Sequence, residues 1–499
     1  MAASVALVYV CSIAGILLLI ISVAYFLALK SSLRRSRPFN AVRYFRIGTW
    51  NLIDILAVLA YLVLNVVAVY STSATTSDFG LRAADLSLIN MIWLYANPYI
   101  DFTTSVLGIS LRRTHRWHAT IGIVAFVLLL THLVIFDTSR APFELDISRN
   151  AGGLVGALSM GASLQSRLLR GLPYESSVRL HQAFAIVSVL AIWCHLSSEP
   201  ILPRILFYVL SGVFASSSLA LAVLILSKNG AFGYGFPRGE VIYRDGAVIL
   251  KVLLQRPLRL KPGQFVSLWM PSVRVWQCHP FVVTSPGQSL KVLEFLIQPR
   301  EGFSRDLMLE ADTGRRSDIL VLFGGPSGRS VPVGNYDVVL LVASGFGIAA
   351  QLPYLSVLLH RRKTNNTRNS RVHLIWQLYT PTEAFLVKTL AEELGDPFNT
   401  ALREKKFTVS IYNAHLKRKH EENPSIRAKQ VRGKANWESI LRSEVEGEFI
   451  EVAKREKPVP LDIIVLVSAT QEIKTELHAI RRRHLNRNIT LTELDYQPP

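Results

Sequence analysis

Two stretches decide the fold: HATIGIVAFVLLLTH at 118–132 and HQAFAIVSVLAIWCH at 181–195. Each is bounded by histidines and holds no Asp, Glu, Lys or Arg. As helices, 14 residues at about 100° each fall about 40° short of four turns, so both histidines share one face, about 21 Å apart along the axis. Polar groups at membrane depth are costly, and ionisable ones there mark function. A single membrane histidine has a bland explanation in interhelical hydrogen bonding or interface snorkelling. Two pairs with equal spacing on helices that run the same way argue for ligand sites. His118 is then level with His181, and His132 with His195. Imidazole is a standard axial ligand of iron in haem, so the spacing fits two haems stacked across a bilayer. His115 lies among arginines on a poorer face and reads as interfacial. A transition-metal path is the alternative for the four histidines, but acidic or thiol co-ligands are missing from their face.

Outward from these stretches, the first 230 of 499 residues are crowded with apolar runs and the remainder with charge. Half the residues are hydrophobic and 18% charged. That split excludes a single soluble globule and a disordered chain. At about 20 apolar residues per crossing, seven spans are expected: 5–29, 48–70, 86–110, 118–137, 151–169, 178–198 and 202–226. The first has no basic n-region and reads as a retained anchor, with a cleaved signal as the alternative. The fifth is the weakest, rich in Gly and Ser. Lys30, Arg34, Arg35, Arg37, Arg43, Arg46, Arg112, Arg113, Arg116, Arg167, Arg170 and Arg179 fall on one side, and Arg82, Arg140, Arg149 and Arg204 on the other. The richer side is cytosolic, which puts everything after the seventh span in the cytosol. Asn365 and Asn488, though in N-x-T sequons, are therefore expected to carry no glycan.

The formal charge of +19 invites nucleic acid as a partner, but a chain anchored in a bilayer meets it rarely; the partner expected is the lipid bilayer. Cys11, Cys194 and Cys278 form no CxxC or CxxCH, which argues against a disulfide framework, a thiol-ligated metal and covalently attached haem.

From about 236 the pattern changes to short strands. Glu240–Leu254 reads as a hairpin around Asp245-Gly246, and KPGQF at 261–265 as a turn into the strand Val266–Met270. CHPFVVTS at 278–285 and a strand Val292–Gln298 follow, suggesting a small β-barrel. Asp337–Ala343 then runs into SGFGIAA at 344–350 and a helix to about Leu359. Strand, glycine turn and helix form the setting in which a GxGxxA motif binds a pyrophosphate. Strands at Arg371–Leu378 and Asp462–Ser468 continue the α/β pattern. Residues 403–457, with 14 Lys/Arg and 9 Asp/Glu, read as an exposed insertion.

Four histidines on two helices, then KPGQF, HPF and GxGxxA in that order, resemble the ferric reductase and NADPH oxidase superfamily, closest to the fungal ferric-chelate reductases. The resemblance covers the chain from about residue 48. It implies an N-terminal anchor and basic loop (1–47), a multi-pass α-helical haem domain (48–230), a ferredoxin–NADP reductase-like FAD barrel (236–332) and an α/β NAD(P)H domain (333–499). It implies two b-type haems on His118, His181, His132 and His195, with FAD and NADPH as the other cofactors. Carried over by position, His279, Pro280, Phe281, Thr284 and Ser285 match the flavin segment. Arg300, Gly302, Phe303 and Ser304 match the segment near the flavin pyrophosphate. Gly325 and Gly328 belong to the turn closing the barrel, and Gly345, Gly347 and Ala350 to the nicotinamide-nucleotide turn. Electrons from cytosolic NADPH would reach an extracytosolic ferric or cupric chelate. Oxygen, as in a superoxide-producing oxidase, and an organic substrate are the alternatives. The plasma membrane is the expected location, with the vacuolar membrane as the alternative. A scaffold without turnover and a transporter remain the non-reductase readings.

The chain departs from the family at three places. Ser468-Ala469-Thr470 stands where a Cys-Gly pair is usual, Val282 where a hydroxyl residue is usual, and Gln497-Pro498-Pro499 follow the aromatic Tyr496. Gln377, closing the second strand in place of an acid, favours NADPH over NADH in this reading.

Overall fold

The computed structural model describes residues 46–47, 50–71, 75–96, 111–139, 148–165, 174–196 and 201–497. The last stretch lacks 234, 245, 276, 285–289, 313–315, 329, 364–370, 381–382, 384–385, 387–406, 414, 416–419, 423–428, 447–460 and 484–488. The expected span 5–29 and Ser285 lie outside the described residues. The chain divides into two compact units, one of helices up to Leu221 and one from Ala222 onward, with 101–111 assigned to the second.

The helical unit contains α1 (Leu52–Tyr70), α2 (Thr76–Tyr95), α3 (Leu111–Ser139), α4 (Ser148–Gln165), α5 (Tyr174–Leu196) and most of α6 (Ile201–Lys228). Among the described residues, four helical segments are long and apolar enough to cross a membrane: Ile53–Tyr70, Arg113–Ile135, Ser176–Leu196 and Ile201–Lys228. The helices at the expected spans 86–110 and 151–169 are not among these four. The helix at the first of these starts at Thr76 and ends at Tyr95, and 97–110 lies outside the described residues. Its start is fixed by a reciprocal cap that hydropathy does not register: Thr75 Oγ1 accepts from Asp78 N (3.1 Å), and the Asp78 carboxylate accepts from Thr75 N (3.2 Å). Polar side chains of this unit turn inward. Asn90 Nδ2 donates to Asn65 Oδ1 and Asn90 Oδ1 accepts from Tyr61 Oη, both at 2.8 Å, tying α1 to α2. Asp54 pairs with Arg113 at 3.0 Å, tying α1 to α3.

The second unit begins with antiparallel strands β1 (Arg238–Arg244), β2 (Ala247–Leu258), β3 (Phe265–Trp269), β4 (Cys278–Val282) and β5 (Leu290–Ile297). Helix α7 (Phe303–Asp312), β6 (Arg316–Leu320) and β7 (Leu322–Ser327) follow. They form two sheets, ordered β5-β2-β1-β6 and β4-β3-β7. The sheets enclose a core that includes Val241, Leu250, Val266, Leu268, Phe281, Leu293, Phe295 and Phe303. Inward residues alternate along β1 because side chains on a strand point to opposite faces in turn.

The rest is a parallel α/β layer. It comprises β8 (Val338–Ser344), α8 (Ile348–Lys363), β9 (Arg371–Leu378), β10 (Phe407–Asn413), β11 (His420–Glu422), β12 (Lys429–Arg432), α9 (Trp437–Glu446), β13 (Ile463–Ser468), α10 (Gln471–Arg483) and β14 (Ile489–Glu493). The strand order is β11-β12-β10-β9-β8-β13-β14, parallel except for the β11–β12 pair. Every residue of β8 and β9 is buried, as expected for strands covered on both faces.

For the described residues of 403–457, this sheet corrects the reading of much of that stretch as an exposed insertion. Within it, β10 pairs with β9 over seven residues, and α9 carries Glu444, which is fully buried. The Glu444 carboxylate receives Arg371 Nε and Nη2 at 2.6 and 2.8 Å and pairs with His373 Nδ1 at 2.7 Å. Nε2 of His373 meets Ser410 Oγ at 2.9 Å. Burial pushes the Glu444 carboxyl up, but hydrogen bonds and charge from His373 and Arg371 outweigh it and hold the carboxyl below its ordinary range. Charge content alone misleads here because these charges neutralise one another inside the layer.

Candidate functional site

In the helical unit, the ring centroids of His118 and His181 lie 6.0 Å apart, and those of His132 and His195 lie 6.5 Å apart. An imidazole nitrogen sits about 2 Å from a metal it ligates, with the ring centroid about 1.1 Å behind it, so two rings across one iron would be about 6.2 Å apart. Both spacings agree with that value. One ring in each pair is fixed by a backbone carbonyl: His181 Nδ1 to Ser163 O and His132 Nδ1 to Gly80 O, both at 3.1 Å. A carbonyl at Nδ1 is the kind of contact that orients a metal-bound histidine. Gly153 makes room for His195, since a Cβ there would lie 2.8 Å from its Nδ1. No group of three or more His, Cys, Asp or Glu suited to a metal ion occurs among the described residues. The histidines meet in twos, which suits an iron whose other ligands come from a porphyrin better than a bare cation.

The barrel positions the next group. His279 stacks on Phe303 with centroids 4.8 Å apart, and its Nε2 meets Gln277 Oε1 at 3.3 Å. Phe281 and Phe303 are packed into the barrel core, so their side chains belong to the packing. Thr284 is spent on structure, its Oγ1 donating to Glu294 O at 2.9 Å. Ser304 Oγ accepts from Arg300 N at 2.9 Å, closing the turn that opens α7, and Gly302 there has φ +79°. A helix N-terminus with a nearby arginine fits a pyrophosphate. Pro280 lies in β4, and Gly325 and Gly328, with φ +111° and +90°, sit at the end of β7. Val282 is buried and its N–H donates to Tyr496 O at 3.2 Å, so its side chain belongs to the packing.

Tyr496 is held at several points. Its hydroxyl donates to Gln298 Oε1 (2.8 Å) and accepts from Arg300 Nη2 (2.7 Å). The Gln497 side chain brackets Gln298, accepting from its N–H and donating to its carbonyl, both at 3.0 Å. Burial pushes the Tyr496 hydroxyl up; Arg300 lowers it and Glu383 raises it, for a net rise.

At the C-terminal end of β8, Gly345–Gly347 form a tight turn into α8. The strand order reverses beside β8, the place where open α/β sheets bind ligands. A Cβ on Gly347 would lie 1.9 Å from Ser468 O, so only glycine fits. Ala350 is buried beneath the turn. Thr470 N donates to Ser344 Oγ at 2.9 Å, fastening the Ser468-Ala469-Thr470 loop to the turn. Ser468 Oγ and Gln351 Oε1 are buried with no hydrogen-bond partner among the described residues.

Gln377 does not reach this site. Its Oε1 accepts from Ala435 N at 2.8 Å, and its Nε2 faces the carbonyls of Leu378, Tyr412 and Gly433. It braces the sheet, and the reading of NADPH over NADH loses that support. Sequence reading missed Gln298, Gln351, Glu383 and Gln497. The signal for Glu383 was present: Thr380-x-x-Glu383 has the spacing of a capping box.

A two-sheet antiparallel barrel followed by a parallel layer with a glycine turn at its switch point is a setting suited to a flavin and a nicotinamide nucleotide. Residues 238–331 match the family model described as FAD-binding domain, and 336–491 that described as Ferric reductase NAD binding domain. The chain is 23% identical over 342 residues to "Probable cell surface ferric reductase kap2" of Aspergillus oryzae, covering 62% of this chain and 45% of the relative. It is 22% identical over 408 residues to "Ferric reductase transmembrane component 3" of Saccharomyces cerevisiae, covering 78% and 53%. It is 29% identical over 143 residues to "NADPH oxidase 4" of Homo sapiens, covering 25% and 24%. The chain belongs to the ferric reductase and NADPH oxidase superfamily. It spans about half the length of the fungal relatives it matches.

Proposed function

We propose that the chain is a multi-pass oxidoreductase of the plasma membrane that passes electrons from cytosolic NADPH, through FAD and two b-type haems, to a ferric or cupric chelate on the opposite face. The observation that carries the reading is the pair of histidine couples at 6.0 and 6.5 Å in one helical unit, on a chain whose remainder matches FAD-binding and ferric reductase NAD-binding families. The names of the fungal relatives support the ferric acceptor.

In this reading the cofactors supply the redox chemistry, two-electron at nicotinamide and flavin and one-electron at haem. The protein's own residues hold and orient them. His118 with His181, and His132 with His195, would each hold one haem iron, with Ser163 O and Gly80 O orienting His181 and His132. The α7 N-terminus and the Arg300–Ser304 turn would hold the flavin pyrophosphate. The Gly345–Gly347 turn receives the nicotinamide nucleotide, and Tyr496 stands beside Arg300 where the two domains of the module meet. No side-chain nucleophile or general base is needed.

The test is anaerobic addition of NADPH to detergent-purified protein reconstituted with FAD, followed at the haem bands. Reduction of two b-type haems, then reoxidation by ferric chelate under anaerobic conditions, is the expected result. Reoxidation by oxygen with superoxide release, and none by chelate, would make it an oxidase. Haem that dithionite reduces and NADPH does not would overturn the NADPH-driven path and turn attention to Ser468.

A further inference from the structure

Beyond the end of β9, Thr380 and Glu383 cap each other. Glu383 N donates to Thr380 Oγ1 at 3.3 Å, and Glu383 Oε2 accepts from Thr380 N at 3.4 Å and from Tyr379 N at 2.7 Å. A capping box needs nothing more of its carboxylate. Here the other oxygen is turned onto the nucleotide turn: a Cβ on Gly345 would lie 2.5 Å from Glu383 Oε1 and 3.0 Å from its Cδ. Gly345 is itself fixed, with φ +47° and its carbonyl accepting from Trp376 Nε1 at 2.9 Å. The carboxylate charge also reaches Tyr496, whose hydroxyl it helps to push up. A negative side chain therefore rests on the glycine turn at the sheet's switch point, and its charge is felt at Tyr496.

The start of a helix behind a glycine turn attracts anions because its N–H groups lack intrahelical acceptors. A dinucleotide brings its pyrophosphate to the same place, and two anions in a partly dehydrated site repel each other more strongly than in water. We propose that Glu383 is a gate on the nucleotide turn: an internal anion lying on Gly345 that must swing away, releasing the Tyr379 and Thr380 amides, before a dinucleotide pyrophosphate can seat. Glu383 thereby sets the affinity for the dinucleotide and keeps it below what the glycine turn alone would give. The inference rests on the nucleotide-binding reading of this turn and adds to it a residue that limits binding.

The test titrates NADP+, and separately NAD+, into the full-length FAD-loaded chain in detergent by calorimetry; the oxidised forms avoid turnover. Glu383→Gln keeps an oxygen for the two amides and removes the charge. It should bind NADP+ about tenfold more tightly than the parent chain, equivalent to about 1.4 kcal/mol. The advantage should shrink at high salt, because screening relieves the parent's repulsion. Glu383→Asp keeps the charge but draws it back by one methylene and should fall between the two. Thermal melting of each variant reports whether the cap survives. Weaker binding by Glu383→Gln would overturn the gate and make the carboxylate an acceptor for a ribose hydroxyl. Unchanged affinity in both variants would also overturn it and leave only a cap. Failure of the parent and both variants to bind either nucleotide would overturn the nucleotide-binding reading itself.

Discussion

The helical unit and the parallel layer are both built of aliphatic residues but place them in opposite ways. In α1 and the apolar segments of α3 and α5, only 17% of the most apolar window is buried within the protein, and in α6 only 6%. In β8 and β9 every residue is buried. Leucines and valines such as Leu56, Val63, Val134 and Leu190 face outward from the helices, while Asn65, Asn90 and Ser87 face in. In the layer the aliphatic residues fill the interior, and the polar groups found there are matched, as Arg371, His373 and Glu444 are. Lipid satisfies an outward leucine and penalises an outward asparagine; water does the reverse. Polar residues in the helices are therefore free to serve ligands or neighbouring helices, whereas a buried polar residue in the layer must first be balanced.

The largest expected effect breaks the helical half of this contrast. His118→Ala should leave one haem per chain in place of two and abolish NADPH-driven reduction of an external acceptor, with FAD retained. Pyridine haemochrome and flavin content, measured on one sample, check it. His132→Ala should do the same for the outer site.

Next is the buried charge of the layer. Glu444→Ala leaves Arg371 and His373 without their common partner and should cost about 3–5 kcal/mol of stability. The carboxyl is held below its ordinary range when folded, so its contribution is fully present above the unfolded carboxylate range and is lost as pH falls through the folded value. The melting temperature of the parent chain should therefore drop more steeply with acid than that of Glu444→Gln. Equal slopes would count against this assignment.

Gly347→Ala drives a methyl group into Ser468 O and should cost about 1–3 kcal/mol through overpacking, with dinucleotide affinity lost before the fold is. Calorimetry beside a melting curve separates the two effects. The smallest effect is expected at the chain's end. Gln497→Ala removes two hydrogen bonds to Gln298 and should cost about 1–2 kcal/mol of local stability. It should appear as faster amide exchange around Tyr496 with the global melting temperature little changed.

Much of the architecture was legible because it follows local rules. The strand bounds Arg371–Leu378 agree to the residue, since a continuous aliphatic run between turn residues has one way to be buried. The antiparallel β1–β2 pair and the β8–turn–α8 unit were equally readable, because glycine marks the turn and periodicity the elements beside it. The start of α2 was missed because Thr75 and Asp78 set it by a hydrogen-bonded cap within a polar segment.

The sequence by its own repeat lengths set periodicity and order: one histidine pair on one face of each of two helices, then a barrel, then a layer with a glycine turn. Those depend on repeat lengths of 3.6 and 2 residues, which are properties of the chain alone. Which polar groups meet was settled only by the folded packing. It assigned Gln377 to a brace, Glu444 to a buried ion network and Glu383 to the face of Gly345. Each assignment joins residues distant in the chain, and a charge or an amide has no meaning until its partner and its access to water are fixed.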